Sequence, residues 1–490
     1  MTEGTLALVL AAGAGSRFGG GKLLASIAGR PILQHVLDTL AAAGLTEVVV
    51  VLGRDAPAIE ASMAWRTERR VVNPDPDRGL ASSLAVGFEA IGEVIGVAAE
   101  AESSGAAAET VLVVLGDQPF LSVKAIRAVV GAPADPVRPI VVPAYSHDRG
   151  RNPVLVRRPA FKLIGQATGD RGLGPVLAAH PELVMEVPVA GANPDLDTPA
   201  DLARLVEEAW GAGVRADREQ VERIREVPDG QDFYAPVHSL FRADPTRTDD
   251  PVLAALLDLH RSGETWLDVG AGAGRFALPL ARALDPSGGT VVALDASASM
   301  LEGLREIAED YAIENVQTIE TSWPPADPSG LAQFSVDVAL IAHVGYDVEA
   351  IGPFLDALEG TARRLCVAVL MDRMPASAAD PFWPLVHGEA RLSLPALPDF
   401  IDLLAARGRV VSVHRITGEA RRFDTREALE GFVRRQLWID AAGPKESRFQ
   451  AALDELAIRV GDGRGRDDGG WTIRDRAPVD TGIVTWSPDG

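Results

Sequence analysis

The stretch Leu10–Lys22, LAAGAGSRFGGGK, restricts what this chain can fold into more than any other. An apolar run of strand length, Thr5–Leu10, leads into it. Pro31–Ala43 follows, with Ile32, Leu33, Val36, Leu37 and Leu40 on one helical face. A strand, a glycine-rich loop and a helix in that order open a parallel α/β sheet. Gly13, Gly15, Gly19, Gly20 and Gly21 let backbone N–H groups approach an anion with no Cβ in the way. Arg17 and Lys22 add a planar fork and a point charge for polyphosphate oxygens. Three other uses of the stretch fail on single residues. A P-loop needs glycine at Ser16 and a hydroxyl residue at Leu23, and a dinucleotide fingerprint needs a third glycine at Phe18. A secretory signal needs a cation before Leu6–Ala14, where Glu3 stands.

The chain then alternates. Strand patterns at Glu47–Leu52, Thr110–Leu115, Ile140–Tyr145, Pro153–Val156 and Leu183–Val189 are interleaved with helical patterns at Leu80–Gly92, Ser122–Val130, Leu173–Ala179 and Pro199–Ala209. This predicts a mostly parallel sheet with helices on both faces, and ligands at the carboxyl ends of its strands. The tetrapeptide GDQP, Gly116–Pro119, directly follows VLVVL and puts Asp117 at such an end. A carboxylate there suits a hard cation such as Mg²⁺ that bridges nucleotide phosphates; the competing role is a helix N-cap. Asp195 and Asp197, after the last strand, are the candidates for a second metal ligand, with Thr198 and Pro199 as a helix start.

LAAGAGSRFGGGK, NPDPDRGLASSL, VVLGDQPFL, GRNPVLV, TGDRGL and DLDTPADL, in this order over about residues 5–208, resemble the MobA-like NTP transferases, and most closely the molybdenum cofactor cytidylyltransferases. The resemblance implies that Leu10, Ala11, Ala12, Gly13, Gly15 and Ser16, with Gly79, Ser82 and Ser83, form the nucleotide site. It further implies that Arg17 and Lys22 bind the triphosphate, and that Asp117 and Asp197 bind Mg²⁺. Ala12, where LAGG would mark a guanylyl branch, implies CTP. Asn152 stands where the family's commoner motif has a histidine. A molybdopterin-type small-molecule acceptor, and a molybdoenzyme client or chaperone as protein partner, are further implications.

Ala212–Gln231 is charged and rich in Ala, Arg and Glu, and it reads as a linker or a solvated helix before a second fold. ETWLDVGAGAGRFALPLARAL, Glu264–Leu284, is again strand, glycine loop and helix. Asp268 precedes Gly270, Gly272 and Gly274, and Asp295 ends the next apolar run, 21 residues after Gly274. An acid at that place can accept both ribose hydroxyls of an adenosine ligand. With the strand Val336–Ile341, this set resembles class I S-adenosylmethionine-dependent methyltransferases over about residues 219–490. The resemblance puts S-adenosyl-L-methionine on Asp268, Gly270, Gly272, Gly274, Asp295, Ser322 and His343. Trp323 is a candidate to stack on the adenine. His343 and Tyr346 follow a strand end as candidate bases, with a structural histidine as the alternative.

The 490 residues therefore predict two doubly wound, Rossmann-like α/β domains: a nucleotide-diphospho-sugar-transferase-like one at 1–211, a linker at 212–218 and a methyltransferase-like one at 219–490. A rival assignment is a sugar-1-phosphate nucleotidylyltransferase or guanylyltransferase with a non-catalytic, methyltransferase-like binding module. The net charge of −22 disfavours nucleic acid and anionic membranes as partners. The single cysteine, Cys366, excludes disulfides and predicts a buried strand residue. No apolar stretch has membrane-spanning length, and the expected location is the cytoplasm. The methyl acceptor and the oligomeric state are not encoded in any motif.

Overall fold

The computed structural model of the chain describes residues 4–13, 15, 18, 20–27, 29–101, 110–147, 149–227, 244–326, 334–419, 421–460, 470–474, 476 and 478–489, with side chains described for these except 93–101. The chain forms two compact units, Met1–Leu202 and Ala203–Gly490.

The first unit is built on strands β1 Thr5–Ala11, β2 Val48–Leu52, β3 Arg69–Val72, β4 Thr110–Leu115, β5 Ile140–Tyr145, β6 Val154–Arg157 and β7 Val184–Val189. They lie in the order β3-β2-β1-β4-β6-β5-β7. β1 pairs in parallel with both neighbours, Val9 opposite Val50 and Val114. Ala7, Leu8 and Val9 have no exposed surface, because helices cover both faces; such a strand reads as a continuous apolar run. Helix Leu80–Ala101 closes tightly on β1: a Cβ on Gly87 would stand 2.5 Å from Leu8 Cδ1. β6 is antiparallel to β4 and β5. Only eight residues separate β5 from β6, too few for a parallel crossover.

The second unit uses β8 Thr265–Val269, β9 Thr290–Asp295, β10 Val316–Glu320, β11 Val336–Ala342, β12 Ala362–Met371, β13 Val411–Ile416 and β14 Thr481–Trp486. Their order is β10-β9-β8-β11-β12-β14-β13, with the last strand antiparallel between β12 and β13. Trp266, Phe354, Phe400 and Trp486 fill its core, and Cys366 is buried in β12. A separate apolar cluster, including Phe382, Trp383, Phe432, Phe449 and Ile473, packs beside the sheet. The tryptophans of this half are thus mainly core. Among the described residues, no helix is long and apolar enough to cross a membrane.

The expected boundaries at 211 and 219 fall inside one helix, Pro199–Ile224. Leu205, Val206, Trp210 and Val214 are buried at helical spacing, so the segment packs rather than links. Its polar residues are paired within the second unit. Glu207 binds Arg407 at 2.5 Å, Arg215 binds Glu349 at 2.7 Å, and Trp210 Nε1 donates to the Val348 carbonyl at 3.0 Å. Trp210→Ala should therefore destabilise the second unit by about 3–5 kcal/mol, the cost of emptying a large aromatic site. Urea unfolding followed by fluorescence measures this, since Trp65 is the single tryptophan before residue 203. An unchanged midpoint would return the segment to the status of a linker.

Candidate functional site

In the first unit, the carboxyl ends of β1 and β4 open onto a cleft of about 620 Å³. Its floor is the backbone of Leu10, Ala11, Ala12 and Gly13, and Gly15 and Lys22 close one side. The Gly15 carbonyl accepts from Phe18 and Gly20 N–H at 2.8 and 3.3 Å, which folds the loop back on itself. Gly15 has φ +54, and a Cβ there would press on Lys22 Cβ at 3.1 Å, so glycine at this position lets Lys22 turn inward. Lys22 Nζ donates to Asp117 Oδ2 at 2.7 Å and lies 3.7 Å from Asp197 Oδ1. Its side chain is 10% exposed, whereas those of Asp117 and Asp197 are 30% and 55% exposed. Solvent can therefore reach both carboxylates. Asp117 does not cap the following helix; Ser122 does, accepting from Ala125 N–H at 3.1 Å.

The opposite wall comes from two loops. Gly79 has φ +85, and a Cβ on it would lie 2.7 Å from the Gly169 carbonyl group. The 76–79 and 169–170 loops can meet only because that position is bare. Ser83 lines the cleft, whereas Ser82 Oγ is engaged by Asn73 Nδ2 at 2.8 Å and donates to the Gly79 carbonyl at 2.8 Å. The pair expected at the ribose thus divides: Ser83 faces the cleft and Ser82 holds the loop. Ser16 and Arg17 lie outside the described residues.

Asp77, Arg78, Asp170 and Asp195 also line the cleft and were not among the expected site residues. Asp195 Oδ1 accepts from Gln118 Nε2 at 2.6 Å, and Gln118 Oε1 accepts from Asn193 Nδ2 at 3.0 Å. The desolvating wall around its carboxyl raises the pKa of Asp195, as do Asp117 and Asp197, against the pull of Gln118 and Lys22. The spacing D-x-D in DLD was the available signal for Asp195. Thr198 and Asp201 form a reciprocal cap, Asp201 Oδ2 accepting from Thr198 N–H at 2.9 Å, so helix Pro199–Ile224 starts at the site.

The second unit gathers its expected residues at the carboxyl ends of β10, β9, β8 and β11. Gly270, Gly272 and Gly274 have φ of +75, +54 and +82. A Cβ on Gly270 would strike Val344 Cγ2 at 2.4 Å, whereas one on Gly272 would meet nothing within 4 Å, leaving the loop surface open there. Asp295 accepts from Gly272 N–H and Ser297 N–H, each at 2.8 Å. Ser322 is exposed just past β10. Asp268 is 2% exposed, and its Oδ1 has no hydrogen-bond partner. A buried, unsatisfied carboxyl oxygen beside a glycine loop fits a ligand that brings a donor, as the amino group of S-adenosylmethionine does.

His343 sits at φ +59 after β11, and its Nδ1 is buried without a hydrogen-bond partner. Burial, and then the Arg275 charge, push its pKa down to about 4, so the ring is neutral at pH 7. Tyr346 is unsuited as a base: its hydroxyl accepts from Met371 N–H at 2.7 Å and burial raises its pKa. Trp323 donates Nε1–H to the Phe354 carbonyl at 3.2 Å and packs edge-on against Phe334, which is a core position.

Burial, aided by the Asp295 charge, pushes Asp268 up to about 7. The folded state thus keeps a proton that the unfolded chain releases near 3.8. This group's contribution to stability therefore falls as pH rises from about 4 to about 7, and the full penalty applies above that. At pH 8, Asp268→Asn should raise the stability of the second unit by on the order of 2 kcal/mol, with little gain at pH 4. Urea titrations at the two pH values check this, and an equal effect at both would contradict the assigned protonation.

Residues 7–184 match the MobA-like NTP transferase domain family, and residues 260–366 match a methyltransferase domain family. The chain is 31% identical over 214 residues to nicotine blue oxidoreductase of Paenarthrobacter nicotinovorans, which covers 41% of this chain and 95% of that protein. It is 35% identical over 130 residues to bifunctional protein GlmU of Sinorhizobium fredii, 26% of each chain. It is also 46% identical over 79 residues to CMP-5'-(3-aminopropyl)phosphonate synthase of Streptomyces rubellomurinus, 14% of this chain and 13% of that one. The chain thus spans about a quarter of the length of the GlmU protein it matches.

Proposed function

Because the chain belongs to the MobA-like NTP transferase family through residues 7–184 and carries a methyltransferase domain at residues 260–366, we propose that it is a bifunctional transferase. The first unit moves a nucleotidyl group, CMP from CTP, onto a phosphate-bearing acceptor of the molybdopterin type. The second moves methyl from S-adenosyl-L-methionine to an acceptor that the closing inference below bears on. The observation that carries the first reading is the sharing of the Lys22 ammonium between Asp117 and Asp197 beside a floor of backbone amides.

Two carboxylates that already hold one cation between them fit a divalent metal, and Asp117 and Asp197 would be its protein ligands. Mg²⁺ bound there supplies charge neutralisation for the triphosphate. The residues of the chain supply positioning. The floor from Leu10 to Gly13 and the wall at Gly79 and Ser83 hold the nucleoside, while Lys22, released from its carboxylates, offsets charge on the departing pyrophosphate. An acceptor phosphate oxygen forms a bond to the α-phosphorus as the bond to the β-phosphate oxygen breaks. That nucleophile is already ionised at pH 7, so alignment and electrostatics carry the step and no general base is needed. In the second unit, Asp268, Gly272 and Asp295 would hold S-adenosylmethionine, and the neutral His343 would face the acceptor side.

CTP is favoured by Ala12 in the LAAG loop and by likeness to a relative whose name describes a CMP-forming synthase. Pyrophosphate release with a phosphate acceptor present is the test. Asp117→Asn should lower the rate by roughly two to three orders of magnitude, the scale of removing one preorganised electrostatic group, while the fold survives. CTP should exceed GTP under matched Mg²⁺. Turnover by folded Asp117→Asn at the unsubstituted rate would refute the metal role. A preference for GTP would replace the cytidylyl reading with the guanylyl one.

A further inference from the structure

A second cavity, of about 130 Å³, opens directly after β12 in the second unit, two strands away from the glycine loop that follows β8. Asp372, Asp380, Arg391 and Asp399 line it, with Leu394 and Ala396 as apolar wall. Two of its charges are already spent. Asp372 pairs with Arg415 at 2.7 Å, and Asp399 accepts from Ala396 N–H at 2.9 Å.

The other two are not. The Arg391 side chain is 7% exposed, its guanidinium lies 4.8 Å from the Trp383 ring centroid, and Nη2 donates only to Met374 Sδ at 3.7 Å. Its Nε and Nη1 make no hydrogen bond; Asp217 and Asp380 stand off at 3.6 and 3.5 Å. Asp380 Oδ1 is buried and likewise unbonded. Leaving such groups unmet is costly, so a ligand that meets both gains from each. A simple anion on Arg391 would lie against the carboxylate of Asp380. A simple cation on Asp380 would lie against Arg391. A molecule with both charges close together satisfies the two at once, and a cavity with the volume of about four waters holds a small one.

We propose that this cavity binds a small zwitterion of the α-amino-acid class, its carboxylate on Arg391 and its ammonium on Asp380. Burial raises the pKa of Asp380, the condition in which an adjacent ammonium gives the largest gain. The position at the carboxyl end of a parallel strand, beside the loop that carries His343 and Tyr346, makes it a site for the methyl acceptor or for an effector of that unit. The binding step does not depend on methyl transfer.

Calorimetry on the full chain tests the proposal with each of the twenty standard amino acids, and with acetate and methylammonium as single-charge controls. At least one short amino acid should bind saturably, at least about tenfold more tightly than either control. Arg391→Met, which keeps the stem over Trp383, should abolish that binding, and Asp380→Asn should weaken it about tenfold or more. If Arg391→Met does not fold, Asp380→Asn alone carries the test. The proposal falls if no amino acid binds, if acetate binds as tightly as the best amino acid, or if the folded variants bind unchanged.

Discussion

The ammonium of Lys22 joins three parts of the first unit that are distant in sequence: the glycine loop, the end of β4 at Asp117 and the helix start beside Asp197. Removing that charge would leave two carboxylates facing each other in a concave site, an arrangement that neither could hold fully ionised without a replacement cation. The interaction contributes little to overall stability, because both acids are partly solvated. Its consequence is preorganisation: the site is set for a metal–polyphosphate ligand that can take over the role of the lysine toward the acids, and of the acids toward the lysine.

The features that were legible in the sequence are those written in local chemistry. Five glycines after a buried strand, an aspartate just past VLVVL and a second GxGxG loop each carry their meaning within about fifteen residues, and the structure puts them at strand ends. Features that depend on distant contacts were not legible. Helix Pro199–Ile224 looked like a linker because its charges seemed to face water; Glu349, Glu389 and Arg407, which pair with them, lie more than a hundred residues on. Ser82 and Ser83 are neighbours of the same chemistry, and only the rotation of the helix decides that Ser83 meets the cleft. The closure of the Gly79 loop on Gly169 is a contact across ninety residues, visible beforehand only as a glycine.

In the second unit, the informative groups are buried polar atoms with nothing in the chain to satisfy them. Asp268 Oδ1 and His343 Nδ1 lie at the ends of adjacent strands, and Arg391 and Asp380 lie one strand further on. The core around them is well filled, with Trp266, Phe382 and Trp383 fully buried, so loose packing does not account for the missing partners. Buried polar groups of this kind are rare in folded proteins, and their concentration along one edge of one sheet marks that edge as the ligand-facing side.

Hydrogen–deuterium exchange with and without ligands is the most direct measurement of the central claim that each unit holds its ligand at the carboxyl ends of its own parallel strands. MgCTP should slow exchange in peptides spanning residues 10–24 and 115–119, and S-adenosylmethionine should slow it in peptides spanning 268–276 and 295–297. Unchanged exchange in the first pair at saturating MgCTP, or in the second at saturating S-adenosylmethionine, would contradict the account for that unit.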